Sequence, residues 1–362
     1  MRRIWGVNWR GGAPPGGDRH PPEAQGPCQA RAVPEAASSR ATVFSPFRLG
    51  PLTLRNRVVK SATFEGMSRG GLPSAELVAF HRRLAAGGVA LTTVAYGAVS
   101  PDARTFDTQM WLSPDTLPGL RRLTDAVHAE GGAAAIQLTH CGGFSKSARA
   151  RTLGGPLAPS FGLNALGVAH GIPFTRAMSE RDIETVVDDF GRGAAHAIEA
   201  GFDALEVHLG HGYLLSQFLS PATNRRRDRF GGSLEGRLRL PLAVVARVLE
   251  VAAGRVPVLA KTNLSDGFAG GLELPEAIEI AQALERAGVS AIVPSGGFTS
   301  KTPFFLLRGE RPLRQMIEVD SSALQRMVLR TAGRFIIRAH PFEELFFLPM
   351  PCSRLLEPEG PW

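Results

Sequence analysis

Cysteine is scarce in this chain: Cys28, Cys141 and Cys352 are the three in 362 residues. They lie far apart, with no CxxC pair and no even set, which speaks against a disulfide framework and suits a reducing compartment. An iron–sulfur cluster, which usually takes four thiolates, is disfavoured on the same count. Long apolar runs are also missing. No uninterrupted stretch reaches the roughly 18 residues of a membrane-spanning helix. Tyrosine and tryptophan number only two and four. None of them interleaves with the densest basic cluster, Arg225, Arg226, Arg227 and Arg229, which Asp228 interrupts. The formal charge of +8 is otherwise scattered. The chain therefore lacks the basic, aromatic-studded stripe of a nucleic-acid binder, and the cluster reads as a solvated surface. No GxGxxG follows an apolar run, so a Rossmann dinucleotide site is not indicated.

What is present divides into three parts. Residues 1–42 hold six glycines and six prolines without an apolar period, the composition of a disordered extension. Its six arginines against three acids also resemble an organelle transit peptide. The prolines would break the helix such a peptide needs, so the plain extension and a cytoplasmic location are the expectation. From residue 43 to 348 the pattern expected is one barrel domain, followed by a divergent Pro-rich tail over 349–362.

Within that domain, apolar strands alternate with amphipathic helices. Strands are expected over Arg57–Ala62, Val89–Gly97, Ala133–His140, Asp203–His208, Val256–Asn263 and Val289–Gly297. Helices are expected over Ser74–Gly88, Leu117–Gly132, Ser179–Gly201, Leu234–Ala252 and Leu274–Gly288, several opened by a Ser cap and most closed by Gly. Pro241 marks a kink or a first turn. The strands are apolar throughout rather than alternating, as when both faces are covered. The fold class is α/β, a (β/α)8 TIM barrel. Polar residues gather where the strands end: Ser61, Gln137, His140, His208, His211, Lys261 and Ser295. Barrel active sites sit on that face. Only about six of eight βα units are legible. After a helix over Asp320–Gly333 no further Gly-rich strand end follows, so strands seven and eight are expected to be lacking.

The stretch EVHLGHGYLLSQFLSP, Glu206 to Pro221, places two histidines and a tyrosine at the end of an apolar strand. On residue type alone three readings stand. The imidazoles form a metal pair, although no third ligand is evident; they act as two N–H donors to one oxygen; or they are structural. Tyr213 is a phenol with a pKa of about 10, able to act as a general acid beside a reacting carbon. Gln137, at the end of a buried strand, must find partners for its amide.

The run HLGHGYLLSQFLSPATNRRRDRFGGSLEGR, His208 to Arg237, resembles the Old Yellow Enzyme family of FMN-dependent oxidoreductases. FSPFRLGPLTLRNRVVKSATFEGM, IQLTHCGG and VPSGGF follow in the family's order, and the similarity covers about Phe44 to Leu348. The resemblance implies an eight-stranded barrel with FMN at its mouth. Hydride would pass from NADH or NADPH to the flavin and then to an activated alkene such as an α,β-unsaturated carbonyl compound. It implies that His208 and His211 hold the substrate carbonyl and that Tyr213 protonates the substrate carbon. Gln137 and Lys261 would meet the flavin pyrimidine edge, with Ser61, Ala62, Thr63, Tyr96 and Ser295 as further cofactor contacts. No metal is implied. The partners implied are a small enone-type molecule, neither nucleic acid nor membrane, with a homo-oligomer compatible. The motif NRRRDRFGGS, Asn224 to Ser233, reads as architectural, and Gly236 stands where the family has Asn. The family's phosphate-binding loops follow strands seven and eight. The alternative is thus a catalytically impaired truncated barrel that binds FMN weakly or not at all and acts only through association.

Overall fold

A computed structural model describes residues 42–301. The expectations for residues 1–41, the helix at 320–333, the seventh and eighth strands and the tail at 349–362 all fall outside the described residues.

Six parallel strands form one sheet in sequence order: β1 (Val59–Lys60), β2 (Leu91–Ala98), β3 (Ala133–Thr139), β4 (Ala204–Leu209), β5 (Val258–Asn263) and β6 (Ala291–Ser295). Every expected strand is present, though β1 is shorter than its apolar run because it pairs with β2 only at Val59 and Lys60. Helices α1 (Ala75–Ala86), α2 (Leu117–Ala129), α3 (Glu180–Glu199), α5 (Leu234–Ala252) and α6 (Leu274–Ala287) return the chain between strands, and the short α4 (Leu214–Leu219) follows β4 directly. Six strands of a (β/α)8 barrel thus lie within the described residues. Two-sided cover explains the unbroken apolar runs: β4 and β5 are buried at every position.

Local chemistry sets the helix ends. Ser179 accepts from the Asp182 amide, and the Asp182 carboxylate accepts in return from the Ser179 amide at 2.8 Å, a capping box that starts α3. Ile183, Val186, Phe190, Ala194 and Ala197 then recur at helical spacing and are buried. Pro241 lies inside α5 rather than in its first turn, and it is buried.

The two ends of the barrel differ in kind. An antiparallel ribbon, Phe47–Leu49 with Leu52–Leu54, brings Leu49 and Leu54 onto Leu91, Ala135, Ala204 and Leu259. Apolar contact closes that end. At the other end, the register sets polar side chains side by side: Gln137 is level with Glu206, His208 with Lys261, and Asn263 with Ser295. Neighbours level in a parallel sheet point to the same face.

The segment after β4 is clamped from several sides. Asn224 donates to the Phe218 and Phe230 carbonyls at 2.9 and 2.8 Å. Arg226 donates to the Pro159 and Met178 carbonyls and pairs with Asp228. These contacts are the architectural role expected of NRRRDRFGGS. Gly236 has its own reason: a Cβ there would lie 2.2 Å from the Gly231 carbonyl oxygen, so the turn as it stands has no room for the Asn of the resembling family. Arg237, buried, donates to the Leu219 carbonyl and pairs with Glu276, tying α4, α5 and α6 together. We expect Arg237→Ala to lower the unfolding free energy by about 2 kcal/mol. That is less than for a wholly buried pair, because Glu276 keeps some solvent contact. Urea denaturation at neutral pH is the check; an unchanged midpoint would remove this tie from the account.

Candidate active site

Two clusters meet at the C-terminal ends of β3 to β6. The first is charged. Glu206 and Lys261 are each 3% exposed at the side chain, with Lys261 Nζ 3.3 Å from Glu206 Oε1. Gln137 Nε2 donates to the same oxygen at 2.6 Å. Lys261 also donates to Ser61 Oγ and to the Ala62 carbonyl, both at 3.1 Å. A lysine on β5 thus reaches the segment after β1. A buried carboxylate needs such partners, since desolvation of an unpaired charge is costly.

The second cluster is aromatic. The His208 ring lies 4.9 Å from His211 and 4.5 Å from Tyr213, centroid to centroid. Tyr213 also packs edge-on against Tyr96 at 5.4 Å and Phe144 at 5.1 Å. His211 adopts φ +59°, and the following Gly212 adopts φ +75°. A Cβ at Gly212 would lie 2.4 Å from the Phe298 ring, so glycine is required there twice over, by conformation and by space. Gln217, in α4, fastens this turn to the loop after β3. It accepts from the Gly143 amide at 3.0 Å and donates to the Cys141 and Gly212 carbonyls at 3.2 and 2.6 Å.

Burial sets the proton states. Desolvation, and then the nearby His211 and Lys261, hold His208 well below the usual imidazole range. His211 is lowered to about 4 by desolvation and by Lys261. Both rings are therefore neutral at pH 7. The Tyr213 phenol is pushed up by desolvation, then by Tyr96 and Cys141, and stays protonated. The buried Cys141 thiol is pushed up to about 12, chiefly by desolvation, so it is no thiolate nucleophile.

His208, His211, Tyr213 and Tyr96 come together as one group, and Gln137, Lys261, Ser61 and Ala62 as another. Ser295 Oγ lies 2.6 Å from His211 Nε2 and so orients an imidazole. Thr63 is exposed and donates to the Ser61 carbonyl at 3.3 Å. Three residues escaped the sequence reading. Glu206 links the charged cluster. Asn263, fully buried, accepts from the His211 amide at 3.0 Å. Glu65 accepts from the Ala95 amide at 3.1 Å, next to Tyr96, and pairs with Lys60. A carboxylate within the apolar run ALEV was a usable signal for Glu206. Nothing local marks the other two. Among the described residues no group of three His, Cys, Asp or Glu is placed to hold a metal ion, and no helix is long and apolar enough to cross a membrane.

The neutral histidines make stability depend on pH. Unfolded imidazoles take up protons below about 6.5, while His211 resists until about 4. Between those values the unfolded chain binds more protons, so stability falls as pH falls. His81, His140, His196 and His208 act in the same direction. Asp189, raised to about 6, opposes them. We expect the thermal midpoint to drop between pH 6.5 and 4, and less steeply in His211→Gln. Parallel slopes for the two proteins would show that His211 titrates normally.

Residues 42–295 match the sequence model of the NADH:flavin oxidoreductase / NADH oxidase family. The chain is 45% identical over 311 residues to a 4,4'-dithiodibutanoate disulfide reductase of Rhodococcus erythropolis, covering 85% of this chain and 75% of that protein. It is 35% identical over 273 residues to an NADPH dehydrogenase of Listeria monocytogenes serotype 4a, covering 72% and 75%. Among solved structures, an Old Yellow Enzyme from Pichia sp. AKU4542 superposes with a TM-score of 0.64 at 26% identity, over 70% of each chain.

Proposed function

The chain belongs to the NADH:flavin oxidoreductase / NADH oxidase family and is an FMN-dependent NAD(P)H oxidoreductase, and from that premise we propose that its barrel mouth reduces an electron-poor double bond conjugated to a carbonyl. One observation carries the proposal. His208 Nδ1 is buried and has no hydrogen-bond partner among the described residues, beside a second neutral imidazole and a protonated phenol. A buried polar nitrogen left open at a site mouth asks for a ligand atom.

The charged cluster suits the cofactor. Gln137 spends one N–H on Glu206, which leaves its other N–H and its carbonyl for the pyrimidine edge of a flavin. Lys261 donates to Ser61 and Ala62 and is ion-paired with Glu206, so it would serve a flavin chiefly through its charge. Ser61, Ala62 and Tyr96 would border the ring, with Thr63 and Ser295 at its margins. When bound, FMN supplies the hydride taken from NADH or NADPH.

On the acceptor side, His208 and His211 hold the carbonyl oxygen and stabilise the charge that grows there as the β-carbon gains hydride. Ser295 orients the second imidazole, and Asn263 holds the His211 backbone that carries it. Tyr213 then gives its proton to the α-carbon, and the saturated carbonyl compound forms. The raised pKa of the phenol keeps that proton in place until the carbanion needs it.

A second acceptor class has one observation in its favour: the relative at 45% identity is a disulfide reductase. In that chemistry hydride adds to one sulfur, the S–S bond breaks, and Tyr213 protonates the departing thiolate. The same three side chains serve both.

Stopped-flow measurement in two halves tests the proposal. With Tyr213→Phe, reduction of the bound cofactor by NADPH should keep its rate, while reoxidation by 2-cyclohexenone should slow by about 10²–10⁴. Equal losses in both halves would overturn the proton-donor role. If the reduced wild-type enzyme ignores 2-cyclohexenone but is reoxidised by 4,4'-dithiodibutanoate, the disulfide reading replaces the enone reading.

A further inference from the structure

Next to the aromatic cluster lies a cavity of about 350 Å³, within the size range of small-ligand sites. It is built by the insertion between β3 and α3, by the loop after α4 and by the loop after β6. Two of its walls are shared with the candidate active site. Phe144 lines it and packs on Tyr213 at 5.1 Å. Phe298 lines it and covers Gly212, and the Thr299 amide donates to the His211 carbonyl at 2.9 Å. A molecule whose reacting bond lay between His208 and Tyr213 would have this space beside it, across Phe144 and Phe298.

The lining has a distinct character. Phe144, Phe161, Leu163 and Phe298 give it apolar walls, and Phe161 and Leu163 are 64% and 69% exposed. No lining residue is acidic, while Arg225 and Lys301 are both present. Neither has a carboxylate partner among the described residues. In contrast, the neighbouring Arg226, Arg229 and Arg237 are all in ion pairs. Arg225 is held in place, since its amide donates to Ser160 Oγ and its guanidinium to the Phe161 carbonyl, each at 2.9 Å. Lys301 stands over the Phe268 ring at 4.9 Å. The chamber thus offers apolar surface for a stem and two unneutralised cations for its end.

We propose that this cavity binds the carboxylate-bearing aliphatic arm of the acceptor, making anionic acceptors the preferred substrates of the site. The inference rests on the proposed function in one respect, the placing of the reacting bond between His208 and Tyr213. An arm of this kind would bury its methylenes on Phe144, Phe161 and Leu163. Its carboxylate would take charge-assisted hydrogen bonds from Arg225 and Lys301.

Equilibrium binding tests this without turnover. Isothermal titration of the FMN-loaded protein at low salt compares octanoate with octanamide, which has the same stem and no charge. Octanoate should bind at least about tenfold more tightly, the size of one charge-assisted hydrogen bond. Arg225→Gln with Lys301→Gln should abolish the difference. Lys301→Gln alone should remove part of it, and it leaves the Arg225 tie to Phe161 intact. Ala222→Phe, which fills the cavity, should weaken both ligands. Equal binding of the two ligands, or octanoate binding untouched by the double variant, would overturn the proposal. Charge-dependent binding of adenosine 2′-phosphate in place of octanoate would also overturn it, by giving the cations to the nicotinamide donor. Failure of these titrations leaves the enone reading standing, and failure of the enone assay leaves the titrations as they are.

Discussion

One buried carboxylate organises the mouth of this barrel. Glu206 sits within β4, almost without solvent, and such a charge is tolerated only when it is paired and hydrogen-bonded. Its neighbours in the sheet meet that demand from both sides, Gln137 from β3 and Lys261 from β5. Lys261 then extends to Ser61 and Ala62, so the requirement of one side chain connects the segment after β1 with β3, β4 and β5. The polar face proposed for the flavin edge depends on this arrangement. Without Glu206, a buried ammonium would lose its counter-charge and the chord across the barrel would lose its anchor.

The second cluster works by the opposite means. Desolvation governs His208, His211 and Tyr213, and the Lys261 charge further disfavours protonation of the two imidazoles. The imidazoles stay neutral and the phenol stays protonated. This is the pairing that oxygen binding and proton delivery need: donors that carry no charge of their own, and an acid that does not ionise early. The two clusters are coupled at short range. Lys261 is level with His208 in the sheet, and its charge helps to depress both imidazoles. The lysine proposed to favour the electron-rich cofactor therefore also holds the acceptor side neutral.

The insertion between β3 and α3 gives the site its own character. Between its short strands, Leu157–Ala158 and Arg176–Ala177, run Pro159 to Ala165 and Thr175, which line the cavity together with Phe144 and the loop after β6. The barrel carries the groups proposed to react, and this added segment supplies a chamber beside them. That division fits a scaffold whose chemistry sits on strand ends while selectivity is set by loops.

Much of this was legible from the sequence, for identifiable reasons. Apolar runs marked all six described strands, because a parallel sheet covered on both faces needs them. Ser caps marked the starts of α1, α3 and α5, and glycines marked the ends of α1, α2, α3 and α6 to within about three residues. The run from His208 to Arg237 announced the two histidines and the tyrosine as one group, since they follow each other within a single strand and turn. Glu206 could have been flagged as a carboxylate inside an apolar run, but its partners lie 69 and 55 positions away along the chain. Asn263 and Glu65 act through single backbone amides of other segments, and no local pattern encodes such a contact. The cavity is assembled from three segments that are distant in sequence, so neither its volume nor its two cations without a carboxylate partner among the described residues can be read from any one of them. The sequence by itself determined the strand–helix alternation, the approximate ends of the elements and the grouping of the two histidines and the tyrosine proposed to react, because these follow from hydrophobic period, capping and local motif. Tertiary structure alone decided which charges are paired, that the His208 Nδ1 atom has no partner among the described residues and where the side chamber lies, because each is a property of groups that meet only when the chain folds them together.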